Sequence, residues 1–156
     1  AKGRRKLTII LPPPRLTFAQ HMRHGFLSAV REAGIACEIP EALDLDSPAS
    51  AVRDHFRERC RQSDAPDGLI CPGEVSAMAA ITGHYESGRM LGREYDIVAK
   101  QTSRLLTDIQ PGVDTIYEDL TAAGENLGRM LLRRIGGESA ESLQLLLQPS
   151  FGGGER

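Results

Sequence analysis

The apolar positions of this chain alternate between a short continuous spacing and a helical one. Leu7, Thr8, Ile9, Ile10 and Leu11 form a compact run that Pro12, Pro13 and Pro14 stop. Such a run reads as a strand buried on both faces. Met22, Phe26, Leu27 and Val30 then recur on one face of a helix expected over residues 17–33, and Gly34 ends it. Residues 35–39 give a second short strand. Ser47 and Pro48 read as a helix start, a capping side chain followed by a first-turn proline. Val52, Phe56 and Cys60 repeat behind them as a buried stripe.

Residues 67–71 are expected as a third strand, 74–87 as a third helix and 95–99 as a fourth strand. An irregular stretch then runs to Gly112, where the next helix is due. Residues 114–117 are a brief strand, 119–135 a strongly amphipathic helix, 142–148 a last strand, and 151–156 a glycine-rich tail expected to fray. Successive strand–helix units imply an α/β fold, a doubly wound, mostly parallel sheet flanked by helices. A long connection at 101–112 fits a functional loop or a crossing between lobes.

One stretch points to a site. In DGLICPGEVSAMAAI, residues 67–81, an apolar strand meets Pro72-Gly73, then Glu74, then an Ala/Met-rich helical pattern. Ligands of open α/β sheets sit outside the carboxyl ends of the strands, so the turn from Cys71 to Glu74 is the first place to look for one.

Composition narrows the possibilities. The 156 residues suit about one domain. A net charge of −2 argues against a nucleic-acid surface on this segment. The basic run of Lys2, Arg4, Arg5 and Lys6 reads as a solvated lead-in. Three scattered cysteines, Cys37, Cys60 and Cys71, fit a reducing cytoplasm better than a disulfide scaffold. No apolar stretch reaches the ~20 residues of a membrane span, and the first apolar run is too short for a signal peptide.

The candidate chemistry is thin. His21 and His24 are spaced for one metal but lack further ligands nearby, so surface histidines are the simpler reading. Cys71 beside a helix start has the setting of an activated thiol but no His or Asp partner. Glu74 has a plain role, complementing the helix dipole in the first turn. No GxGxxG, GxxxxGK[ST] or GxSxG turn is present. No enzyme activity, cofactor or metal is therefore expected.

The order of segments resembles the effector-binding domain of LacI/GalR-type bacterial transcriptional regulators. The residues that carry the likeness are His24-Gly25-Phe26 with Ala29-Val30 and Gly34, and Cys71-Pro72-Gly73-Glu74 before its helix. Residues 95–102, Pro111, Asp114-Thr115-Ile116, a 120–135 helix with Gly128, and residues 143–149 complete it. The resemblance covers essentially the whole chain and implies the C-terminal part of a two-lobed, periplasmic-binding-protein-like clamp. Residues 1–108 would form the C-terminal subdomain, 109–138 a segment normally packed on the other subdomain, and 139–156 a return strand and flexible tail. The helix–turn–helix and first lobe would lie in a longer protein, which alone would touch operator DNA.

The resemblance places Met22 where the family carries an effector-contacting Arg, Gly73 at the polar position of the first turn, and Gln101 at the acidic effector position. Thr17, Arg23, Asp46 and Glu74 complete the expected ligand-binding set. Met78, Ile81, Leu105 and Leu106 are the expected homodimer face. The implied function is sensing of a small polar effector, a sugar being the expected class, by a cytoplasmic, dimeric repressor. The alternative is a transport-associated solute-binding protein with the same clamp. On the helix of residues 119–135, Leu120, Leu127, Met130 and Leu131 make an apolar stripe expected to dock on a neighbouring copy or back on its own sheet.

Overall fold

Alternation along the strands assigns each residue to a layer. The computed structural model describes residues 3–152. Strand β1 (Lys6–Ile9) leads to α1 (Thr17–Ala33), β2 (Ala36–Glu38), α2 (Ala49–Arg59), β3 (Gly68–Cys71) and α3 (Glu74–Glu86). Then come β4 (Asp96–Gln101), a single turn α4 (Leu105–Ile109), β5 (Asp114–Tyr117), α5 (Leu120–Ile135) and β6 (Ser150–Gly152). The sheet order is β2-β1-β3-β4-β5-β6. The first five strands are parallel, and β6 pairs antiparallel with β5.

The core lies mainly on one face. Ile10, Leu69, Cys71, Ile97 and Ala99 meet Val52 and Phe56 of α2, Ala77 and Ala80 of α3, and Leu106 of α4. Ile9 on the opposite face meets Phe26 and Val30 of α1, flanked by Leu7, Met22 and Ile70. Each β-α-β crossover follows the usual right-handed path only if α1 lies opposite α2 and α3. The face over β3, β4 and β5 is thereby left without a helix.

Local chemistry explains most boundaries. Gly34 ends α1 in the left-handed region (φ 62°), its N–H donating to the Arg31 carbonyl and that of Ile35 to Val30. The Asp119 carboxylate caps α5 by accepting from the Ala122 N–H at 2.8 Å. A Cβ at Gly83 would meet the Arg53 carbonyl oxygen at 2.3 Å, so only glycine lets α3 lie this close to α2.

Several expectations are corrected. Ser47 does not cap α2: its hydroxyl accepts from the Asp44 N–H at 2.9 Å in the preceding turn, and Pro48 takes the cap position. The expected strand at 142–148 is instead a 3-10 turn (Ala140–Ser142) and extended chain. No neighbouring strand is offered there, and the short free edge of β5 is reached only by residues 150–152. Phe151 and Gly152 of the expected tail are thus paired, and 153–156 lie outside the described residues. The stretch before Gly112 holds α4. Of the segment 109–138, β5 is in register on β4, from Val98 opposite Asp114 to Gln101 opposite Tyr117.

Within the basic run Arg5 is exposed, but Arg4 and Lys6 are structural rather than solvated. Arg4 donates to Asp96 at 2.7 Å, and Lys6 pairs with Glu38 and Asp64, each at 2.9 Å. Lys2 lies outside the described residues. The apolar stripe of α5 does not fold back on the sheet. Leu120, Leu127 and Leu131 stay exposed, Met130 is half-buried, and no residue of α5 is buried. The excursion from β5 to β6 carries the helix away from the sheet.

Candidate ligand-binding site

Three strands end beside one another at the helix-free face, and their carboxyl edge opens into a cavity of about 460 Å³. Ile70, Val98 and Ile116, from β3, β4 and β5, form its floor, with Cys71 and Pro72 at the end of β3. Phe18 and Met22 of α1, with Pro12 and Leu45 from the loops, also line it. Lys100 and Glu118 stand at the edge, Lys100 Nζ to Glu118 Oε2 at 2.8 Å.

The expected site residues scatter around this cavity, and of that set only Met22 lines it. Thr17 is exposed at the start of α1. Arg23 lines a separate depression of about 300 Å³ with Gln20 and Pro40. Asp46 is held in an exposed ion pair with Arg15 at 2.5 Å. Gly73 backs the cavity without lining it, and a Cβ there would meet Leu45 Cδ1 at 3.1 Å. Glu74 accepts from the Ser103 N–H at 3.0 Å and the Ser103 hydroxyl at 2.7 Å, tying the turn after β3 to the turn after β4.

Gln101 is buried. Its amide donates to Thr107 at 2.9 Å and Thr115 at 3.1 Å, on the face opposite Val98 and Lys100. Sequence reasoning missed Phe18, Leu45, Lys100 and Glu118. The signal for one of them, Lys100, was present. Period-two alternation groups Gln101 with Ile97 and Ala99 in the core layer, and Lys100 with Val98 on the cavity side.

Cys71 lines the cavity with its side chain almost wholly enclosed. Burial pushes its thiol pKa up to about 12, against the opposing hydrogen bond with Ser76. A thiol so held is protonated at ordinary pH and has no nucleophilic role. The lining is an apolar platform with one ion pair at its edge.

The expected dimer face divides. Leu106 is fully buried (0% exposed) under α3, because α4 turns it into the core, and it has no surface to offer. Ile81 is half-buried against the same core. Met78 and Leu105 line a groove of about 450 Å³ between α2 and α3, with Val75, Thr82 and Glu74.

Comparison with known proteins decides the family, since residues 1–151 match the family described as periplasmic binding protein-like domain. This chain belongs to that family. The likeness to the effector-binding domain of LacI-type regulators holds as well. The HTH-type transcriptional repressor PurR of Klebsiella pneumoniae is 26% identical over 151 residues, covering 95% of this chain and 43% of that protein. A LacI family transcriptional regulator from Bifidobacterium animalis superposes with a TM-score of 0.82 at 15% identity, over 97% of this chain and 54% of that one. Another from Arthrobacter, in complex with lactose, gives 0.77 at 16% identity, over 96% of this chain and 55% of that one. This periplasmic binding protein-like domain thus spans less than half the length of the curated relative.

Proposed function

We propose that this domain is the effector-sensing part of a transcriptional regulator of repressor type. Its cavity at the carboxyl edge of β3, β4 and β5 would be one half of the ligand clamp. The observation that carries the reading is α5, a capped, strongly amphipathic helix that leaves the sheet after β5 and buries nothing against it. A helix with that face is built to pack on something else. The segment after Tyr117 and before Ser150 would belong to a second lobe, supplied by a longer gene product that also carries the DNA-binding region.

Ligand bound between the lobes would favour the closed arrangement by its differential affinity for it, and so bias DNA binding at a distance. The groove bearing Met78, Leu105 and Val75 would pair two copies. A cytoplasmic setting accords with the repressor relatives, and among the described residues no helix is long and apolar enough to cross a membrane. A solute-binding protein of a transport system has the same clamp, but the relatives named above are regulators, which favours the sensor.

The sugar reading draws support from the Arthrobacter neighbour, whose structure holds lactose. The lining opposes it. A sugar hydroxyl left without a partner in an apolar site costs about 1–3 kcal/mol, and here every lining side chain but Lys100 and Glu118 is apolar or aromatic, Phe18, Met22, Leu45, Ile70, Val98 and Ile116 among them.

Hydrogen exchange tests the two-lobe reading. In the product of the complete gene, the amides of α5 are expected to exchange far more slowly than in this chain alone. Equal exchange in both would remove the second lobe from the proposal.

A further inference from the structure

The charge pattern of the cavity selects a chemical class of ligand. Lys100 and Glu118 are the charged side chains of the lining, paired at 2.8 Å and still 40% and 42% exposed. An ammonium has three donors, and this one spends one on Glu118; the carboxylate likewise keeps free acceptor positions. A ligand can therefore add to both groups without breaking the pair. The pair is neutral as a unit. A monoanion seated on Lys100 brings like charge beside Glu118, and a monocation on Glu118 does the same to Lys100. A zwitterion answers both at once.

The remainder of the lining is apolar, Phe18 and Met22 from α1 together with Val98 and Ile116 from the sheet. Gln101, the amide that could have met a hydroxyl, is turned into the core and held by Thr107 and Thr115. We propose that the cavity takes an apolar zwitterion, an α-amino acid with an aromatic or branched side chain. Its carboxylate meets Lys100, its ammonium meets Glu118, and its side chain lies on Phe18, Met22 and Ile116. The assignment rests on the sensing role proposed for this cavity.

Methyl-detected NMR titration of the product of the complete gene, in which both halves of the clamp would be present, tests it, reading Met22, Ile70, Val98 and Ile116. The probes are L-phenylalanine, 3-phenylpropionate, phenethylamine and D-glucose at equal millimolar concentrations. L-Phenylalanine is expected to move these methyls with a Kd at least about tenfold below that of either singly charged analogue. Lys100→Met and Glu118→Gln should each erase that advantage while leaving the methyl spectrum of the free chain folded. Equal binding by 3-phenylpropionate or phenethylamine overturns the zwitterion. Glucose moving the same methyls while L-phenylalanine does not overturns the class and leaves the sensing cavity standing. No movement of these methyls by any probe overturns both.

Discussion

His84 lies in the α3 interior between two rings, 5.4 Å from the centroid of Phe56 and 3.8 Å from that of Tyr95, both nearly parallel to it. Its Nδ1–H donates to the Ala80 carbonyl at 2.8 Å, since a carbonyl can only accept. Burial pushes its pKa down to about 4, against the carbonyl bond, which acts the other way, and with the nearby Arg89 charge lowering it further. The unfolded chain takes up this proton near its ordinary value of 6.5, and the folded chain does not. Stability is therefore complete above 6.5 and falls as pH drops toward 4. Denaturant unfolding should lose about 2 kcal/mol between roughly pH 7 and pH 5, and His84→Phe should flatten much of that slope. The remainder belongs to His55, also lowered by burial.

Glycine at 83 is a second residue-scale constraint. Gly83→Ala would drive a methyl into the backbone of Arg53 and Arg57 and should cost about 1–3 kcal/mol in a urea titration. The cavity shows how far residues alone can be read. Lys100 was legible from strand alternation once the strand was assigned. Phe18 and Leu45 were not, because nothing local says that a helix start and a loop meet across the end of a sheet.

Among the elements, α4 and α5 are opposite cases of the same leucine-rich composition. Leu106 on the five-residue α4 is fully enclosed, whereas Leu131 on the sixteen-residue α5 is exposed. Leu106→Ala should lower unfolding stability by about 2–5 kcal/mol, and Leu131→Gln should change it by no more than about 0.5 kcal/mol in this chain. Thermal and urea unfolding of the two variants side by side check this. Periodicity foresaw α1 and α5 almost to the residue, because caps and apolar spacing are local. It misassigned 142–148 because an apolar run reads as a strand whether or not an edge is there to receive it. The ion pair of Arg59 with Glu38, at 2.8 Å, was equally invisible, since it joins residues on different elements far apart in sequence.

At the scale of the molecule, the parallel order followed from alternating elements, and the carboxyl-edge rule pointed to the turn after β3, whose Cys71 and Pro72 line the cavity. The association of copies is the property still to be measured. If the α2–α3 groove pairs two chains, Met78→Asp should convert a dimer to a monomer in sedimentation velocity without loss of folded signal, because Met78 is only half-buried. A variant that stays dimeric moves the contact elsewhere.

The excursion between β5 and β6 leaves and re-enters the sheet at neighbouring positions, Tyr117 opposite Ser150. The lobe proposed to hold α5 would thus be tethered through two adjacent strands, and the line joining them would be its hinge. Glu118 is the first residue beyond that line. The pivot and the acidic end of the ion pair are one residue apart, so a ligand seated on Glu118 would bear directly on the hinge of the proposed second lobe.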